Sequence, residues 1–182
     1  MDLYQIFVTH NRPWSAREIV IFTILFLGLA ALLFYLAKQK KIFYSQAVSG
    51  MILFAFLGIV FGATVFARES NGVHQHELEL FWSWKLALRG DQAMQEEIFL
   101  NMILLFPAGL LFPCLFHRRF VWWKAFLIGV AISAVIETGQ LVLCRGLFEW
   151  DDMIHNGLGC MAGSFVTGII SVSYTHLRAQ RP

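Results

Sequence analysis

Between positions 101 and 156, polar residues able to do chemistry interrupt membrane-grade apolar sequence: Asn101, Glu137, Gln140, Arg145, Asp151, Asp152 and Asn156. A charge at the centre of a bilayer costs about 2.5–3.5 kcal/mol on insertion scales. A chain that keeps such groups there uses them to hold helices together or to handle a polar ligand. Carboxylates in apolar surroundings must find donors or a cation, or else take up a proton.

Glu137 and Gln140 stand three apart and share one helix face, which Cys144 continues. At 1.5 Å per residue, Glu137 lies about 10 Å below the helix end near Cys144, inside the hydrocarbon. Two readings are open for it: a neutral or paired acid tying helices together, or a carboxylate that binds a ligand or a proton. Asp152 and Asn156 are four apart, and Gly159 and Gly163 follow on much the same side. Asp151 or Asp152 is placed to cap the helix that begins there. The cluster E-W-D-D-x-x-H, residues 149–155, could also hold a divalent cation through its oxygens and His155. No ligand geometry can be read from sequence, so no metal and no cofactor are expected. Arg145 suits a pairing with one of these acids or a grip on an anionic headgroup or phosphate.

Other residues read as packing devices. Asn101 is expected to hydrogen-bond across to a neighbouring helix. Pro107 removes a backbone hydrogen bond and, with Gly109, should kink its helix. Gly159-x-x-x-Gly163 lets another backbone approach closely. His74 and His76 are expected to be solvated. The cysteines Cys114, Cys144 and Cys160 form no CxxC pair and read as small buried hydrophobes.

The elements that must position these residues are apolar runs. Of 182 residues, 58% are hydrophobic and 14% charged. A soluble domain carries about 25% charged residues, so lipid must be the solvent for much of this surface. The net charge of +2 is too small to argue for nucleic acid. Ile19–Ala37, Ala47–Ala67, Ile98–Phe116, Phe120–Cys144 and Met153–Val172 each approach the roughly twenty residues that cross a bilayer. The expected fold is therefore all-α, a polytopic transmembrane helical bundle of about five transmembrane helices. Ser70–Glu97 is the one long hydrophilic stretch, with Phe81, Trp82 and Trp84 suited to the membrane–water interface. No cleavable signal peptide is expected, because the first apolar run is long enough to span.

Charge sets the orientation. KQKK follows the first span and HRR the third, both on one side and both without an acid. The opposite loops hold more acids than bases, including Glu149, Asp151 and Asp152 beside Arg145. The positive-inside rule puts KQKK and HRR in the cytoplasm. Asn101, Gln140, Arg145, Asp151, Asp152 and Asn156 then converge on the extracytoplasmic face.

These segments together resemble the VanZ-like family. NMILLFPAGLLFP is similar to its N-I-L-L-F-x-P-x-G, ETGQ to its E-x-x-Q, and RGLFEWDDMIHNGLGCMAG to its R-G-x-F-D-x-D-D-x-x-x-N-x-x-G-x-x-x-G. Matched residues are Asn101, Phe106, Gly109, Glu137, Gln140, Arg145, Phe148, Asp151, Asp152, Asn156, Gly159 and Gly163, with Pro107 following Phe106 directly where the family has one residue between them. Glu149 stands where the family has Asp. LELFWSW resembles N-L-I-P-F-W-S-W, from which Glu77, Glu79 and Leu80 depart. The resemblance implies a VanZ-like domain over residues 46–172, with 1–45 an added transmembrane helix and basic loop. The last residues, SVSYTHLRAQRP, look like adapter read-through, and 173–182 are expected to be a non-native tail.

The resemblance further implies a bacterial cytoplasmic-membrane protein of the cell envelope, of a family named for lowered sensitivity to the glycopeptide teicoplanin. It implies no reaction. Expected partners are membrane lipids and a lipid-linked cell-wall precursor or glycopeptide bound at the polar cluster. The alternatives are an enzyme modifying a lipid or cell-wall intermediate, with Glu137 or the Asp pair as acid/base or metal ligands, and a structural, partner-binding membrane protein.

Overall fold

A computed structural model describes residues 13–117 and 121–179, with side chains as far as residue 169. The chain divides into two compact units, residues 1–78 with 134–150, and residues 79–133 with 151–182.

The first unit opens with helix α1 (Ala16–Lys38), started by a capping box in which the Glu18 amide donates to Ser15 Oγ and the Ser15 amide to the Glu18 carboxylate. Its apolar side chains face outward; Ile24, Leu25 and Leu27 are all more than half exposed. That exposure suits lipid, since no polar stripe lines the helix. α2 (Tyr44–Phe61) packs on α1 through stacked rings, Phe22 and Phe54 lying 5.7 Å apart between centroids. Gly58 makes room for Phe22, because a Cβ there would stand 2.1 Å from its ring. α2 runs into a π-helical turn, Gly62–Phe66. Strand β1 (Gln75–Glu77) pairs in parallel with β2 (Leu147–Glu149), His76 opposite Phe148. Residues 134–142 of α6 (Trp122–Val142) complete the unit.

The second unit contains α3 (Trp82–Leu88), α4 (Gln92–Leu104), α5 (Phe106–Leu115), residues 122–133 of α6, and α7 (Trp150–Ala179) from Asp151 onward. Asp91 caps α4 by accepting from the Met94 amide. The helix therefore starts six residues before the apolar run at Ile98. The chain breaks at Leu105, φ −103° and ψ 4°, and restarts with Pro107 in the first turn of α5. Proline fits there, because the first amides of a helix lack intrahelical partners. α7 meets its neighbours along a glycine seam. A Cβ on Gly159 would lie 1.7 Å from the Met102 carbonyl oxygen, one on Gly163 2.1 Å from that of Phe106, and one on Gly109 2.0 Å from that of Cys160. Backbones come this close only where side chains are missing.

The all-α membrane-type bundle expected from sequence is the fold, apart from the three-residue ladder of β1 and β2. Among the described residues, Ala16–Lys38, Tyr44–Phe66, Gln92–Leu115 and Trp122–Val142 are long and apolar enough to cross a membrane. The expected fifth span, Met153–Val172, falls inside α7, and side chains beyond residue 169 lie outside the described residues. So do Arg118 and Arg119 of the HRR loop, and the side chains of the expected tail, 173–182.

Candidate functional site

The residues singled out from sequence fall into two clusters, one per unit. Glu137, Gln140 and Arg145 belong to the first. Asn101, Asp151, Asp152 and Asn156 belong to the second.

In the first unit, Glu137 is buried on α6 and accepts a hydrogen bond from the Glu149 amide at 3.0 Å, fixing the end of β2. Three residues on, Gln140 Nε2 donates to the Thr64 carbonyl at 3.1 Å. Arg145 Nη1 donates to the carbonyls of Val65 and Phe66 at 3.3 and 2.8 Å. Thr64, Val65 and Phe66 form the π turn that ends α2, where carbonyls lack helical partners and a cation is favoured. Arg145 reaches them because α6 ends in a tight cap: the Arg145 amide donates to the Gln140 carbonyl at 2.8 Å, and Cys144 takes the left-handed conformation, φ 53°. The expected ion pair between Arg145 and an acid is thus replaced by helix-end carbonyls. Gly146 sits in a confined spot, where a Cβ would meet Gln140 Oε1 at 2.7 Å and Arg68 Nη1 at 3.1 Å.

His74 is exposed, as expected, but not merely solvated. Its Nδ1 lies 2.7 Å from the Leu141 carbonyl and 3.4 Å from Cys144 Sγ. Of the cysteines, Cys160 is buried, Cys144 half-buried and Cys114 exposed, so the buried reading holds for Cys160.

In the second unit, Asp151 is fully buried. Its Oδ1 accepts from the Phe81 amide at 2.6 Å, and its Oδ2 from the Ser83 amide at 3.1 Å and the Ser83 hydroxyl at 2.6 Å. These donors surround the start of α3, where Phe81 is held at φ 62°. Asp151 does cap a helix, but a different one from the helix it belongs to. Asp152 is the accessible member, with 19% of its side chain exposed. It accepts from Asn101 Nδ2 at 2.6 Å, joining α7 to α4. Asn156, one turn along, donates to Ser133 Oγ on α6 at 2.9 Å, and that hydroxyl lies 3.4 Å from the Asp152 carbonyl.

His155 lies between these two residues in sequence and is fully buried. Its Nδ1 stands 3.8 Å from Asp152 Oδ1, beyond hydrogen-bond reach. The Trp84 ring packs over it at 5.6 Å between centroids. Among the described residues, both His155 ring nitrogens, Trp84 Nε1 and Asn156 Oδ1 are buried without a hydrogen-bond partner, as are Ser164 Oγ, further along α7, and Arg145 Nε in the first unit.

The divalent-cation reading of residues 149–155 does not fit this geometry. Among the described residues, no three His, Cys, Asp or Glu side chains are grouped to hold a metal ion. The Asp151 oxygens face Ser83 and Phe81 instead. The sequence does not single out Ser83, Ser133 or the Glu149 amide, and it presents Trp84 as an interface aromatic. His155 stands in the sequence only as a possible cation ligand, although its place three after Asp152 puts both on one helix face. No such signal exists for Ser133 or for the Glu149 amide.

Apolar helices long enough to cross a bilayer, with acidic, amide and imidazole side chains buried among them, define a polytopic helical membrane protein. Residues 50–171 match the VanZ/LLP1 family model, and the chain belongs to that family. No curated protein and no solved structure matches it.

Proposed function

We propose that this VanZ-family membrane protein resides in the bacterial cytoplasmic membrane and binds a component of the cell envelope at the Asp152–His155 cluster. The ligand would be a lipid-linked precursor or a glycopeptide, and its binding would change teicoplanin sensitivity. One observation carries the proposal. His155 is wholly buried with neither ring nitrogen hydrogen-bonded, and its Nδ1 stands 3.8 Å from the partly exposed Asp152 carboxylate. An unmet buried polar group costs about 1–3 kcal/mol, and polar groups buried only to lock helices would be expected to satisfy one another. The Asp151 oxygens, Gln140 Nε2 and Arg145 Nη1 are all answered by protein partners, so the ligand role is assigned to Asp152, His155 and their neighbours.

The acid-rich loops and the basic loops KQKK and HRR favour an extracytoplasmic position for this cluster. Thiol labelling tests that position. In a background with Cys114 and Cys144 replaced, Arg89→Cys, just after α3, should react with a membrane-impermeant maleimide in intact cells, and Lys40→Cys only after lysis. Reaction of Arg89→Cys solely after lysis would overturn the proposal.

A further inference from the structure

Counting hydrogens identifies what the orphaned groups can accept. Trp84 Nε1 only gives a hydrogen bond, Asn156 Oδ1 only takes, and the His155 ring carries at least one further N–H to give. The unmet set therefore needs a partner that both gives and takes. Phosphate and carboxylate groups only take, and would stand against the Asp152 carboxylate. The nearest lysine in sequence to Trp84, Lys85 on α3, is already bonded to Glu79. A quaternary ammonium neither gives nor takes. A hydroxyl gives one and takes two, and neighbouring hydroxyls can serve several of these atoms at once. The half-buried Trp84 ring adds an apolar plane beside them, as the C–H face of a sugar requires.

We infer that Trp84, Asp152, His155 and Asn156 form a binding site for a polyhydroxylated group, a sugar rather than a phosphate. The inference rests on the ligand reading of this cluster and names the part of the ligand it touches. Asp152, partly exposed and held by Asn101, takes the first hydroxyl, and His155 and Trp84 serve those deeper in. Trp84 rides on the seven-residue α3, which Asp151 and the Gln95-to-Ala87 hydrogen bond fasten down.

The test uses the full chain in lipid nanodiscs and two amphiphiles of equal chain length, octyl glucoside and octylphosphocholine, below their micelle concentrations. Saturation-transfer NMR separates contact with the headgroup from contact with the chain. Saturable transfer to the glucoside ring protons, with none to the choline methyls, is the expected result. Trp84→Phe keeps an aromatic face and deletes the donor, and should weaken glucoside binding about tenfold, as loss of one hydrogen bond implies. His155→Gln should weaken it at least as much, and serves alone if Trp84→Phe fails to fold. Equal transfer from both headgroups, transfer to chain protons only, or binding unchanged in the folded variants would overturn the sugar assignment. Loss of teicoplanin protection in Trp84→Phe without glucoside binding would overturn the sugar assignment alone. Wild-type cells with unaltered sensitivity would count against the function proposed above.

Discussion

Asp151 and Asp152 are neighbours of identical chemistry, yet the structure gives them opposite jobs. Asp151→Asn replaces one carboxylate oxygen by an NH₂ group. If that group takes the Oδ1 place, the Phe81 amide loses its acceptor; if the Oδ2 place, the Ser83 amide does. Ser83 Oγ can rotate to accommodate either arrangement, but a backbone amide cannot. One buried amide left unmet costs about 1–3 kcal/mol, and the remaining bonds lose the strength that the charge lent them. The sum is about 2–4 kcal/mol, a large part of a typical stability of roughly 5–15 kcal/mol. At about 2–4 °C per kcal/mol for a chain of this size, the apparent melting point should fall by roughly 5–15 °C. Asp152→Asn keeps an oxygen for Asn101 Nδ2 and is partly exposed, so its melting point should stay within a few degrees of wild type. Matched-rate thermal scans of detergent-purified protein, read by gel-filtration recovery, compare the two. A melting point for Asp151→Asn equal to wild type would refute the capping role, and an equal drop for both variants would refute the division of labour.

Other substitutions probe separate contacts. Gly159→Ala puts a methyl 1.7 Å from the Met102 carbonyl oxygen and should lose several-fold in folded yield, whereas Gly168→Ala, with open space around it, should be neutral or gain up to about 1 kcal/mol from helix propensity. Parallel expression with a fluorescent fusion reads both. Glu137→Leu should be about 1–3 kcal/mol less stable than Glu137→Gln, which keeps an oxygen for the Glu149 amide, in the same thermal scan. Arg145→Met removes the two hydrogen bonds that Nη1 gives to the π turn, so amide exchange across residues 62–67 should quicken while that of α1 is unchanged.

Much of this architecture was legible because membranes demand long apolar runs, and the charged residues closing those runs mark their ends. Pro107 marks an irregularity that reads as a kink within one helix; the structure instead ends α4 at Leu104 and starts α5 at Phe106. The glycine seam followed from the spacing of Gly159 and Gly163. Three-residue strands are too short to show a period, so β1 and β2 left no trace. The partners of the polar residues were least legible. Arg145 meets carbonyls that exist as acceptors only because α2 ends in a π turn. Asp151 serves amides about seventy positions away, at a turn where Phe81 takes a left-handed conformation. Charges read along a chain suggest other charges as partners, whereas this fold answers them largely with backbone.

Susceptibility measured in a glycopeptide-sensitive host addresses the central claim most directly. Wild type, Asp152→Asn and His155→Gln are compared at matched membrane levels, with Asp151→Asn as a control whose effect should follow its reduced level. The wild-type chain should raise the teicoplanin concentration that stops growth, and Asp152→Asn and His155→Gln should abolish that rise while remaining fully expressed. Wild-type protection retained by both variants would contradict the account.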